Sequence, residues 1–316
     1  MKAKVRAHAN IALIKYWGKK NEAYKIPYQS SISLTLDQFY TETEVMYDKQ
    51  LEEDILFING KKVEGARKKR VSSFLDWIRK TYQIPYHAYI YSFNHVPEAA
   101  GLASSASAFA ALGVAALKAY GITVSDEEMS KVARFGSGSA SRSIYAGFVA
   151  WQKGFDHESS FSYPLNIVWP EFRMIACLVN ENEKLFLSNQ TMKETVLESP
   201  FYQEWVLEAE KDFELMLTYL KEKDIHKVGL LAQKNALKMH ATILSIGKWY
   251  FEPKTIAILN KLYQLQSQGI PAYFTMDAGP NVKILTTETY VKQVLDALGD
   301  LTQTVVCKSG PGVEFI

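Results

Sequence analysis

Cysteine is almost absent: Cys177 and Cys307 are the only two in 316 residues. Two thiols so far apart cannot build a disulfide framework or a four-cysteine zinc site. Both lie beside β-type sequence, as small core hydrophobes do. Long apolar runs are also missing. No stretch reaches the roughly 18 residues a membrane span needs, and the opening Met1-Lys-Ala-Lys-Val-Arg-Ala-His8 lacks the apolar core of an export signal. The expected location is therefore a reducing cytoplasm. Charge of one sign is missing as well, with 36 Lys and Arg against 34 Asp and Glu. That balance argues against nucleic acid or a membrane as partner, but leaves room for a local basic cleft. The His residues include no His-x-x-x-His pair, so no zinc site is expected. The composition is that of an ordinary globular chain.

Period-2 alternation predicts strands at Lys4 to Ile14, Ser31 to Leu36, Thr41 to Tyr47 and 86–93. Asn59-Gly60 reads as a hairpin turn. Apolar Val71, Phe74, Leu75 and Ile78 predict a helix over 64–82, and the run Arg67-Lys-Lys-Arg70 at its start reads as a solvated face. Ser125 with Glu128 forms a capping-box signature. Helices are expected at 202–222, 225–243 and 254–268, with strands at 271–276, 281–286 and 303–307. Strands and helices mix in both halves, which predicts an α+β chain of two packed units. The division expected is 1–180 and 181–316.

The most informative segment is Pro97-Glu-Ala-Ala-Gly-Leu-Ala-Ser-Ser-Ala-Ser107, which runs into an alanine-rich helix. Gly101 permits a tight turn, and small residues let backbone approach a ligand. The free amides and dipole of a helix start favour an anion. It is neither a Walker A loop nor a dinucleotide fingerprint. A small-residue helix start also serves as a packing device, and the segment by itself leaves both readings open.

The pattern Pro-x-x-x-Gly-Leu-x-Ser-Ser-x-Ser resembles the phosphate loop of the GHMP small-molecule kinase superfamily. Three further segments resemble the mevalonate diphosphate decarboxylase family within it: Ala9-Asn-Ile-Ala-Leu-Ile-Lys-Tyr-Trp-Gly-Lys-Lys20, Ala133-Arg-Phe-Gly-Ser-Gly-Ser-Ala-Ser-Arg-Ser143, and Tyr273-Phe-Thr-Met-Asp-Ala-Gly-Pro-Asn281. Together they span essentially the whole chain. The resemblance implies a ribosomal protein S5 domain 2-like N-terminal domain packed on a ferredoxin-like C-terminal domain, with the site between them. It implies ATP-dependent decarboxylation of mevalonate 5-diphosphate to isopentenyl diphosphate through 3-phosphorylation, with Mg²⁺, and a homodimer.

Site roles follow from the same resemblance. Asn94, Gly101, Leu102, Ala103, Ser104, Ser105 and Ser107 are implied to bind ATP, with Ser105 or Ser107 reaching the magnesium of Mg-ATP. Tyr16 and Lys19 would meet the substrate phosphates. Ser139 and Arg142 would be substrate ligands, with Arg142 holding the carboxylate, for which the planar guanidinium fork is suited. Asp277 would face the tertiary hydroxyl, and Asp277, Lys19 and Arg142 form the expected catalytic group. Ser188 and Met192 would complete the substrate pocket, and His240 reads as structural. One stretch departs from the family: in Lys184-Leu-Phe-Leu-Ser-Asn-Gln-Thr-Met-Lys193, Leu187, Asn189 and Thr191 stand where Ser, Arg and Gly are usual. The missing Arg removes a candidate phosphate contact, so either the diphosphate is held in another way, with Lys184 or Lys193 as candidates, or the substrate carries less phosphate.

Overall fold

A computed structural model describes residues 1–95, 104–179 and 186–316, with Ser104 described by its backbone alone. Two sheets organise it. The first has eight strands. Its main path runs Glu314–Phe315, Lys2–Ile14, Ser31–Asp48, His87–His95, Ile55–Ile58, Lys61–Val63. Phe148–Trp151 pairs with the first residues of Ser31–Asp48 and carries Ser162–Pro164 on its far edge. The pairings are antiparallel except that of Ile55–Ile58 with His87–His95. The two strands expected at 31–36 and 41–47 are one continuous strand, because Lys2–Ile14 pairs along both and absorbs the offset in a register shift between His8 and Asn10.

The second sheet is antiparallel, in the order Tyr273–Met276, Val282–Thr287, Phe172–Leu178, Gln303–Cys307. Phe172–Leu178 sits inside it, so the change of sheet comes before the division at 180 expected from sequence.

Eight helices are described: α1 Ala66–Tyr82, α2 Ser104–Ala119, α3 Asp126–Gly136, α4 Ser188–Glu198, α5 Tyr202–Glu222, α6 Ile225–Leu244, α7 Pro253–Ser267 and α8 Val291–Leu298. Buried Ala106, Ala110, Ala111, Ala115 and Ala116 let α2 lie close on the first sheet. There it shares a core with α1, α3 and the strand faces bearing Val5, Val45 and Ile90. Helices α5 and α6 fill the space between the sheets, where Phe213, Met216, Val228 and Ala232 meet Ile11, Leu13, Phe172 and Met174. Helices α7 and α8 cover the outer face of the second sheet through Ile258, Leu262, Val294 and Leu298. The architecture is thus the α+β pair expected.

Ser125 caps α3 as predicted, accepting the Glu128 amide at 3.2 Å. The Glu128 carboxylate instead accepts from the Tyr82 hydroxyl at 2.7 Å, so only half of the capping box forms. Among the described residues no helix is long and apolar enough to cross a membrane.

Candidate active site

The long strand Lys2–Ile14 leaves the first sheet pointing at the gap between the sheets. Its continuation, Lys15-Tyr-Trp-Gly-Lys19, turns there because Gly18 adopts φ 110°. A Cβ at this position would lie 1.6 Å from the Tyr202 hydroxyl. That hydroxyl donates to the Trp17 carbonyl at 2.9 Å, so the turn is pinned onto α5. A cavity of about 760 Å³ opens beside it. Tyr16, Lys19, Ser105, Ser139, Arg142, Ser188, Met192 and Asp277 all line this cavity. Residues more than 250 apart in sequence are brought together.

Arg142 is buried on the short 3-10 helix Gly138–Ile144 that follows α3. Its Nε donates to Asn10 Oδ1 at 3.2 Å and its Nη1 to Ser31 Oγ at 2.5 Å. Among the described residues, no carboxylate comes within 4 Å of it. Burial pulls its pKa down to about 10, with Asp277 acting in the opposite direction. An unpaired buried charge costs several kcal/mol, so the arrangement fits a site that receives an anion from solution.

Asp277 follows the end of the strand Tyr273–Met276. Lys15 Nζ lies 2.7 Å from its Oδ1 and Lys283 Nζ 3.6 Å from its Oδ2. Each carboxylate oxygen thus faces a buried ammonium. Burial lowers the Lys15 pKa to about 8, against the attraction of Asp277, and lowers that of Lys283 in the same sense. Among the described residues, the cations at Asp277 are therefore Lys15 and Lys283. Lys19, which the family resemblance puts on the substrate phosphates, meets Glu22 at 2.9 Å. Both partners had a signal in the sequence: each is a lone lysine in an otherwise apolar run, Ile14-Lys15-Tyr16-Trp17 and Val282-Lys283-Ile284-Leu285.

The serine loop is compact. Ser137 Oγ donates to Ser105 Oγ at 3.3 Å and lies 3.5 Å from Ser139 Oγ. Gly138 admits the rings of Tyr16 and Trp151, which a Cβ would meet at 2.9 Å. The buried Tyr16 hydroxyl has no hydrogen-bond partner among the described residues, and burial raises its pKa. Ser188 Oγ lies 3.5 Å from the Ala278 carbonyl, and Met192 packs with Trp17, Trp205 and Met239 behind it.

Two expected ATP ligands stand away from the cavity wall. Ser107 is fully buried, with its Oγ 2.8 Å from Thr41 Oγ1, which donates to Asn94 Oδ1 at 3.0 Å. Gly101, Leu102 and Ala103 lie outside the described residues, as does the Ser104 side chain. Among the described residues of this group, Ser105 is the serine on the cavity. Among the described residues no three His, Cys, Asp or Glu side chains could hold a metal ion together. A hard cation here would need oxygens supplied by phosphates, and a serine hydroxyl beside them fits that chemistry.

The run Arg67 to Arg70 is not wholly a solvated face. Lys68 pairs with Glu53 and Glu64 outside, but Arg67 and Arg70 line the cavity. The 3.6-residue period places positions three apart on one side, a signal the polar run concealed. His240 is buried against Phe251, with ring centroids 5.0 Å apart. Burial lowers its pKa to about 4, so it packs as a neutral ring.

Two family models match the chain: a diphosphomevalonate decarboxylase-like N-terminal domain over residues 7–162, and a mevalonate 5-diphosphate decarboxylase C-terminal domain over 174–309. The diphosphomevalonate decarboxylase of Candida albicans is 35% identical over 94% of this chain and 87% of its own length. The human enzyme is 32% identical over 92% and 78%. Among solved structures, the mevalonate diphosphate decarboxylase of Staphylococcus aureus superposes with a TM-score of 0.96 at 41% identity, covering 100% of this chain and 98% of that one. A further solved relative, MDDEF, was obtained in complex with MVAPP, AMPPCP and magnesium; it is 42% identical, with a TM-score of 0.96 over 100% and 99% of the two chains. With both halves matched by models of one family, and with relatives alike over nearly its full length, the chain belongs to the diphosphomevalonate decarboxylase family.

Proposed function

We propose that the protein is an ATP-dependent decarboxylase that converts mevalonate 5-diphosphate to isopentenyl diphosphate, ADP, phosphate and carbon dioxide. The observation that carries this reading is the juxtaposition of a buried arginine, with no carboxylate partner among the described residues, and an aspartate flanked by two buried lysines, on one cavity. The first suits a substrate carboxylate and the second a substrate hydroxyl.

Asp277 orients the tertiary hydroxyl and takes its proton as the oxygen attacks the γ-phosphorus of ATP. Lys15 and Lys283 hold the carboxylate in place. Ser105 and the loop Ser137 to Ser139 receive phosphate oxygens, with Lys19 and Tyr16 on the diphosphate. Mg²⁺, when bound with the nucleotide, neutralises phosphate charge. Most of the remaining catalysis is positioning. Phosphorylation turns the hydroxyl into a good leaving group. As the C–O bond breaks, carbocation character develops on the tertiary carbon. The bonding pair to the carboxylate then forms the new double bond, and carbon dioxide departs. Arg142 orients the carboxylate through its fork without fixing its charge too tightly, since binding the ground state harder than the transition state would slow the step. The buried thiols and the family likeness support a cytoplasmic homodimer.

An endpoint assay tests this, with Mg-ATP and mevalonate, its 5-phosphate or its 5-diphosphate. Equal amounts of ADP, phosphate and carbon dioxide from the 5-diphosphate alone are expected. ADP without carbon dioxide would make the protein a 3-kinase, and turnover of the 5-phosphate would make it a monophosphate decarboxylase.

A further inference from the structure

Asn189 stands where the family usually carries an arginine, yet the cavity is not short of cations at that end. Lys25 lines it from the opposite wall, in the turn between the short strands Lys19–Asn21 and Ile26–Pro27. Its backbone is in the left-handed region at φ 53°, a conformation that costs a β-carbon residue energy and is most often retained for a purpose. The strain has a visible result. The side chain is carried inward, where its amine donates to the Phe135 carbonyl and lies 5.0 Å from the Phe135 ring centroid. Arg70 donates to the next carbonyl, Gly136, at 3.3 Å. Both cations thus rest on the C-terminal carbonyls of α3, immediately before the serine loop. Among the described residues neither has a carboxylate within 4 Å. Asn189, across the cavity, places its Oδ1 3.5 Å from Lys19 Nζ and contributes no charge.

We propose that Lys25 is the specificity-determining cation for the terminal phosphate of the substrate's 5-diphosphate, and that it replaces from the hairpin the arginine missing at position 189. This rests on the decarboxylase reading above. Resting on carbonyl oxygens, the amine keeps two of its three donor positions for a ligand. Burial, and after it the neighbouring Lys19 and Arg70, lowers its pKa to about 8, and a bound diphosphate would favour its charged form. A purely structural lysine tying the hairpin to α3 is the competing account.

The test is Lys25→Asn, which removes the charge while asparagine tolerates the left-handed conformation. The Michaelis constant for the 5-diphosphate should rise by about ten- to a hundredfold, with that for ATP changed by no more than about twofold. Preference for the 5-diphosphate over the 5-phosphate should fall in parallel. Adding Asn189→Arg to Lys25→Asn should restore most of the loss, which a structural role would not permit. Calorimetric titration with inorganic pyrophosphate should show the same weakening and rescue. An unchanged constant for the 5-diphosphate, an equal rise in that for ATP, or no rescue would overturn the proposal. If the wild type turns over no 5-diphosphate, the decarboxylase reading fails. The pyrophosphate titration then still decides Lys25: weakened binding in Lys25→Asn supports it and unchanged binding overturns it.

Discussion

The two ends of the cavity are built on opposite principles. At the inner end each charge already has its partner or cradle: Asp277 between Lys15 and Lys283, and Arg142 on Asn10 and Ser31. At the outer end Lys25 and Arg70 rest on backbone carbonyls, and Arg67 stands beside them. The inner end is prepared before substrate arrives, as groups that act on reacting atoms need to be. The outer end is completed by the polyanion it binds. Substitutions inside should therefore lower the rate constant, and substitutions outside should raise Michaelis constants.

The largest effect is expected at Asp277. Asp277→Asn keeps the shape but removes the proton acceptor and strands two ammonium groups, so kcat should fall about 10³-fold or more. ATP affinity, measured by nucleotide titration, should stay near that of the wild type. Substantial residual carbon dioxide release would break the division between the two ends. Arg142→Lys comes next, with a loss of about 10² in kcat/KM, because a point charge does not reproduce a fork held by two neighbours. Near-normal kinetics would remove Arg142 from the carboxylate.

Lys15→Met should lower kcat by about tenfold to a hundredfold, since Asp277 loses its nearest counter-ion. The pH profile sharpens this. Lys15 titrates near 8 in the folded chain, below its ordinary value. Wild-type kcat should therefore fall on the alkaline side as the ammonium is lost. Stability moves the other way. Between about pH 8 and the unfolded lysine value near 10.5 the unfolded chain binds the extra proton, so stability from this group rises with pH. The stability of wild type relative to Lys15→Met, from denaturant melts, should improve over that window while wild-type turnover declines. Parallel trends in the two would show that Lys15 is not the group titrating.

Much of the site was legible because strand and loop motifs fix local chemistry. Tyr16, Lys19, Ser139, Arg142, Ser188 and Asp277, singled out in sequence, all line one cavity. The partners were harder to read. Pairing of Asp277 with Lys15 and Lys283 depends on how the two sheets face each other, and 262 residues separate the first pair. Alternation showed both lysines on strands or strand exits but not which face met what. The fold was legible in its helices at 202–222 and 225–243, whose apolar stripes are long. The short strands Phe148–Trp151 and Ser162–Pro164 carried too few residues for a pattern. Ser107 marks a different limit: within a run of small residues, nothing in the sequence shows its burial or its contact with Thr41, which only the fold brings about.

The smallest effect should come from Arg67. It lines the cavity while exposed to solvent, with no side-chain hydrogen bond among the described residues. An exposed cation of this kind contributes through long-range attraction and is screened within about a Debye length, roughly 10 Å at 0.1 M salt. Arg67→Gln should raise the Michaelis constant for the 5-diphosphate by no more than about threefold at low ionic strength, and the difference should vanish as salt is added. Lys25→Asn should keep most of its defect in the same titration, because its amine is partly buried and screened less. If the two variants respond to salt alike, the outer end is a diffuse basic field, and the cation at position 25 has no special place in it.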